Sequence, residues 1–203
     1  MIRAIGNSHT CFFNGTDDLC GYSWWKAPQK SAHDWIAGYS IGPCTAWKFQ
    51  QKHLPRIRRL LVDIGADKEK DKLLLVFGEI DCRVHIPRTA DITGTGIVAT
   101  TEKCWLEYEK GVDELLAEGW RVVLYACNPA REITDPDIPV HGCIETRRSV
   151  VNAWNYFLWS KSGSSPAVTA LLVEGRLTYI DEIHLSQACW YLKPEHPAFR
   201  EGP

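Results

Sequence analysis

Four short stretches carry residue types that can do chemistry, and each directly follows a short apolar run. Gly6-Asn7-Ser8-His9 follows Ile2–Ile5, and Ser40-Ile41-Gly42-Pro43 closes Trp35–Ile41. Gly78-Glu79-Ile80-Asp81 follows Lys72–Phe77, and Asp181-Glu182-Ile183-His184 follows Leu177–Ile180. A strand that ends at Gly and presents a Ser is one way an α/β enzyme lifts a hydroxyl above the carboxyl edge of its sheet. A hydroxyl of ordinary acidity needs a general base to attack an acyl carbon. That base needs an acceptor to fix its tautomer and balance the imidazolium charge. His184 is the candidate base and Asp181 the candidate orienter, since i, i+3 side chains share one face of a helical turn. Each piece also has a plainer reading. Gly-Asn-Ser is ordinary turn chemistry, Asp181 after a strand can be a helix N-cap, and His184 can be a satisfied surface or core histidine.

Glu79, Asp81 and Arg83 lie just past the Lys72–Phe77 run. A buried structural ion pair with Arg83 accounts for them better than a catalytic carboxylate. His9, Glu79, Asp81 and His85 have residue types that suit zinc or manganese. No helical His-x-x-x-His pair or compact ligand motif backs a metal site, so none is assigned. Nine tryptophans are present. Trp24, Trp25, Trp47, Trp105 and Trp190 lie in or near stretches that frame the candidate site, and aromatic faces suit stacking on sugar rings. Core packing is the better reading for each taken singly.

The elements that must position these groups alternate between strand and helix. Lys72–Phe77 is a continuous apolar run ending in Gly78, as expected of a parallel strand buried on both faces. Arg121–Ala126 reads the same way, closed by Asn128-Pro129. Residues 10–34 read as a loop or broken helix. Residues 45–64 read as a helix with Ala46, Phe49, Ile57, Leu60, Leu61 and Ile64 inward, kinked or divided at Pro55 and stopped at Gly65. Lys68–Lys72 reads as a solvated surface turn of mixed charge. Residues 84–100, with Pro87, Gly94 and Gly96, read as a long loop of the kind that forms lids. Helices are expected over 101–118 and 145–159, a further short element at 168–173, and a last strand at Leu177–Ile180. Strands alternating with helices imply a single α/β domain over residues 1–203: a five-stranded parallel sheet between two helical layers, in flavodoxin-like order 2-1-3-4-5.

The 203 residues are 45 % hydrophobic, enough for a full core, and carry a formal net charge of −2 with no basic block. Nucleic acid is therefore not an expected partner. No apolar run approaches the ~18–20 residues that span a bilayer. A strand begins almost at the N-terminus, with no signal-peptide core before it, so a cytoplasmic location is expected. Eight cysteines, at 11, 20, 44, 82, 104, 127, 143 and 189, show neither Cys-x-x-Cys nor zinc-finger spacing. Most read as buried small hydrophobes or free thiols.

The order of these blocks resembles the SGNH (GDSL-type) hydrolases over nearly the whole chain. Gly6-Asn7-Ser8 resembles their first block, whose Ser is the nucleophile. Gly42 matches the glycine of the second block, whose amide helps form the oxyanion hole. Gly78-Glu79-Ile80-Asp81 stands where Gly-x-Asn-Asp is expected, and Asp181-x-x-His184 matches the last block. Arg147–Leu158, with Asn152 and Asn155, resembles the helix before the final strand. The resemblance implies a three-layer α/β/α fold and cofactor-free hydrolysis of a small-molecule or carbohydrate ester by Ser8, His184 and Asp181. Asn7 departs from the family's usual Asp. Ile80 departs more seriously, because the family places there an Asn side chain that donates to the oxyanion. Removing one such donor costs about 10²–10³ in turnover. Arg83, His85 and His9 are the nearest replacements in sequence. Two rival readings use the same scaffold. One is an acyltransferase, favoured if residues 84–100 exclude water. The other is a catalytically weak or inactive binding protein, favoured by Ile80.

Overall fold

The computed structural model describes residues 1–14, 34–127, 130, 132, 133 and 136–164. Four strands form one parallel sheet: β1 (Ile2–Gly6), β2 (Ile36–Ser40), β3 (Lys72–Val76) and β4 (Arg121–Leu124), in the order β2-β1-β3-β4. Four α-helices accompany them: α1 (Leu54–Asp63), α2 (Ile86–Thr93), α3 (Ile97–Ala117) and α4 (Ile144–Ser164). This is an α/β fold in the expected strand order for those four strands. The expected strand at Leu177–Ile180 and the short element at 168–173 lie outside the described residues.

Side chains alternate across the sheet with period two, and both faces are buried. Ile5, Leu73, Leu75 and Val122 point to the face covered by α1, α3 and α4, where Phe49, Phe77, Tyr108 and Trp154 complete the larger core. Ile2, Ala4, Leu74, Val76 and Val123 point to the other face, where Phe13 packs edge-on to Tyr125 at 5.9 Å. The steps from β2 to β3 and from β3 to β4 run in the same direction across the sheet. Right-handed connections therefore put α1 and α3 on one face, as observed.

Two prolines shape the helical connections. Pro55 divides the 45–64 segment, as expected. Ahead of it the chain forms a short 3₁₀ turn (Ala46–Lys48) and then a π-helical turn (Phe49–His53). Pro87 does the same to Asp81–His85, a second π-helical turn, and α2 follows. A proline has no N–H to donate and its ring crowds the carbonyl four residues back, so the preceding turn widens. The widened bonds run from the Leu54 N–H to the Phe49 carbonyl and from the Ile86 N–H to the Asp81 carbonyl.

The expectation of a long loop over 84–100 is therefore wrong. Pro87 opens α2, Gly94 caps it in a left-handed conformation (φ 65°), and Gly96 precedes α3. These residues punctuate two helices rather than forming a lid, and the support that a lid lent to acyl transfer goes with it. Among the described residues no helix is long and apolar enough to cross a membrane.

The turn at 68–70 is exposed as expected, but Asp71 behind it is buried. Asp71 accepts from Arg3 Nε at 3.1 Å and from the backbone of Asp67 at 3.1 Å, and it pairs with the N-terminal ammonium at 3.1 Å. Burial acts to raise its pKa, but the Asp67 amide, the N-terminal amine and Arg3 together hold it below the ordinary carboxylate value. Stability from such a group is present above the unfolded pKa and is lost as pH falls through the folded one. Asp71→Asn should lower stability at pH 7 by about 1–3 kcal/mol. Urea unfolding should show that deficit shrinking as pH falls below about 4.

Candidate active site

The sheet register brings the chemistry-bearing exits together. Gly6 stands level with Ser40 on one side and Val76 on the other. Two residues further along each chain are Ser8, Gly42 and Gly78, so three of the four stretches singled out in sequence leave the same carboxyl edge side by side. The close spacing is enforced at Gly6, where a Cβ would meet the Val76 carbonyl oxygen at 2.0 Å. Gly78 is enforced too, because its φ is 99° and a Cβ would lie 2.5 Å from the Trp154 ring.

At the exit of β1, Ser8 is exposed and opens a 3₁₀ turn, Ser8–Asn14. Asn7 is buried and organises the turn. Its Oδ1 accepts from the His9 N–H at 3.0 Å, and its carbonyl accepts from the Thr10 hydroxyl at 2.8 Å. The same Oδ1 lies 3.2 Å from His9 Nδ1. An amide oxygen can only accept, so Nδ1 carries the proton and the neutral ring offers an acceptor at Nε2. His9 would thus donate to an oxyanion from Nε2 only as an imidazolium. Asn7 thus caps the turn with a neutral group.

At the exit of β2, the loop carrying Gly42 is tied down on several sides. The Ile41 N–H donates to the Gly6 carbonyl at 2.8 Å, and the Ile41 carbonyl accepts from Arg56 Nη2 at 3.0 Å. Gly42 takes φ 79°, and its N–H is directed at Ser40 Oγ, 3.4 Å away. The Thr45 N–H donates to His53 Nε2 at 3.3 Å, and the Ala46 N–H to Asp81 Oδ2 at 2.6 Å. Ile41, Cys44 and Ala46 all point into the core.

At the exit of β3, the carboxylates and Arg83 separate. Glu79 pairs with Arg83 through two contacts, 2.6 Å at Nε and 3.3 Å at Nη2. Arg83 Nη1 also donates to the Pro139 carbonyl. The expected ion pair with Arg83 is thus formed by Glu79 alone and is partly exposed. Asp81 is fully buried and turns to the Ala46 amide instead. Burial pushes the Asp81 carboxyl up to about 7. The amides of Ala46, Trp47 and Asp81 itself favour the charged form, and Glu79 opposes it. Ile80 is half-buried in helical conformation. His85 is exposed at the end of the same π-helical turn, its pKa lowered by desolvation, Arg88 and Arg83.

Pro87 has a second consequence here. Lacking an N–H, it leaves the Arg83 carbonyl without its usual helical donor, and the His141 N–H takes that place at 3.0 Å. His141 Nε2 lies 2.6 Å from Asp91 on α2. At the exit of β4, Asn155 of α4 clamps Cys127 from both sides, accepting from its N–H at 2.8 Å and donating to its carbonyl at 3.0 Å. Asn152 is exposed.

Asp181 and His184 lie outside the described residues, as do Trp24, Trp25 and Trp190. Trp105 is a core residue, packed edge-on to Trp154 at 5.8 Å. Trp47 is half-buried. Cys44, Cys82, Cys104 and Cys127 are buried free thiols and Cys143 an exposed one. Among the described residues no group of three or more His, Cys, Asp or Glu could hold a metal ion. For the four residues considered, the reason is visible: Asp81 faces inward to Ala46 and Glu79 is held by Arg83.

Two of the site's supports have no signature in the chain. His53 and Asp81 act on amides 8 and 35 residues away. Burial lowers the His53 pKa to about 4, with help from Lys52 and Arg56, so the ring is neutral and can accept from Thr45. The raised Asp81 value means the fold prefers its protonated form, so this carboxyl's contribution to stability declines as pH rises from the ordinary carboxylate value towards 7. The stability of Asp81→Asn relative to wild type should therefore rise between about pH 4 and 7, read by urea unfolding at several pH values. A flat difference would contradict this assignment.

No family model, curated protein or solved structure matches this chain.

Proposed function

We propose that the chain is a serine esterase of SGNH type that removes a small O-acyl group, such as acetyl, from a carbohydrate or another small alcohol. The observation that carries this reading is the place of Ser8. It is exposed at the carboxyl end of the central strand of a 2-1-3-4 parallel sheet, flanked by the Gly42 and Gly78 exits. Open α/β sheets bind their ligands at that edge, where the strand order reverses. The Asp181-x-x-His184 spacing and its order after Ser8 in the chain support the remainder of the triad. On this reading the sheet gains Leu177–Ile180 as a fifth strand on β4, between two helical layers.

Ser8 Oγ attacks the acyl carbon while His184 takes its proton, and His184 then returns that proton to the departing alcohol. Water, deprotonated by His184, releases the acyl group and regenerates Ser8. Asp181 holds the imidazole in the required tautomer. The amides of Ser8 and Gly42 donate to the tetrahedral oxyanion, which requires the Gly42 N–H to leave its long contact with Ser40 Oγ.

The observations at Ile80 favour a second reading, a binding protein on a weakened or inactive SGNH scaffold. Arg83 is engaged by Glu79 and Pro139. The two readings separate by assay. Ser8→Ala and His184→Ala should each lower hydrolysis of 4-nitrophenyl acetate and of acetylated sugars by at least about 10³-fold, with the unfolding transition unchanged. Turnover equal to wild type in both variants would remove the triad.

A further inference from the structure

The Gly42 loop is held from the protein interior by two buried side chains that the triad chemistry does not use. Thr45 donates to His53 at 3.3 Å and Ala46 to Asp81 at 2.6 Å. Both anchors lie in the π-helical turns that the two prolines widen, His53 ending one and Asp81 opening the other. Both are inaccessible to solvent, at 1 % and 0 % exposure. A buried acceptor left without its donor costs about 1–3 kcal/mol, so each pairing resists opening. The two amides follow Gly42 by three and four residues, and the loop's other end is fixed through Ile41 to the Gly6 carbonyl of the nucleophile's own strand. The loop is thereby fixed relative to Ser8 from the protein interior.

We propose that Asp81 and His53 are positioning residues that hold the Gly42 amide in place for the substrate's carbonyl oxygen. This rests on the esterase reading above. Oxyanion donors act through being fixed before the reaction, so loosening the loop lowers kcat more than it alters KM. The need is greater in a chain with Ile80, because the backbone amides carry a larger share of the stabilisation. Around Asp81 the ionisable neighbours are Glu79 two residues before it, Cys82 on the same turn, Cys44 on the loop, and Cys104 and Tyr108 on α3. Burial raises all four neutral groups well above their usual values. Burial brings the Asp81 carboxyl up only to about 7.

The test combines ester turnover with NMR amide exchange on the full chain. Asp81→Asn keeps an oxygen for the Ala46 N–H and should retain kcat within about threefold, with Thr45 and Ala46 still protected. Asp81→Leu removes the acceptor and should lower kcat about 10²-fold at little-changed KM. It should lose protection at Thr45 and Ala46 while Leu73–Leu75 stay protected. His53→Phe probes the Thr45 side in the same way and stands in if Asp81→Leu does not fold. Wild-type kcat in a folded Asp81→Leu or His53→Phe, or unchanged loop protection, would overturn the assignment. Lost protection in a protein whose wild type shows no Ser8-dependent turnover would fail the esterase reading instead, and with it the oxyanion role, while leaving the two anchors established.

Discussion

The constraint on which the rest depends is the pairing of β1 on both sides. Its five residues form one parallel register with β2 and β3, so the three chains must leave the sheet level with one another. Gly6 makes that possible. The Val76 carbonyl occupies the space where a side chain would begin, and the chain can turn into the Ser8 segment only because no Cβ is there. Asn7 then fixes the turn through its side-chain oxygen, which leaves Ser8 outside and sets the proton on His9 Nδ1. A buried five-residue strand thus determines where a single hydroxyl stands.

The second layer of control lies behind the edge and comes from two prolines. Pro55 and Pro87 each interrupt the helical ladder one turn into a helical segment, and in both places the preceding turn widens to an i→i+5 bond. One widened turn ends at His53 and the other begins at Asp81. These two residues reach back to adjacent amides of the same loop. Pro87 also frees the Arg83 carbonyl, which the 136–143 segment then uses as its attachment. What looks in sequence like punctuation places two side chains behind the Gly42 loop and frees one carbonyl for the 136–143 segment.

The legible parts of the fold were those written in local pattern. The strands at 2–6, 36–40, 72–76 and 121–124 follow from short apolar runs closed by Gly or polar residues, and the helix expected over 101–118 follows from its period near 3.6, though it starts earlier, at Ile97. Residues 84–100 were misread because Pro and Gly mark helix ends as well as loops. Pro87 sits where a helix starts and Gly94 where one stops, and only the burial of Ile86 and Ala90 distinguishes these cases. The convergence of Ser8, Gly42 and Gly78 was legible because parallel strands of one sheet share an edge. The roles of His53, Asp81 and Asn155 were not, since each depends on an amide brought near only by folding. Glu79 and Arg83, four residues apart on one helical face, pair as spacing allows, while the carboxylate between them turns to the Ala46 amide.

The central claim is that Ser8 is an activated nucleophile and not simply an exposed turn serine. The direct measurement is the intact mass of wild type and Ser8→Ala after incubation with a fluorophosphonate. The account predicts a single adduct on the wild type, mapped to Ser8 by peptide sequencing and absent from the variant. An unlabelled wild-type protein with its unfolding transition intact, or equal labelling of the variant, would contradict it.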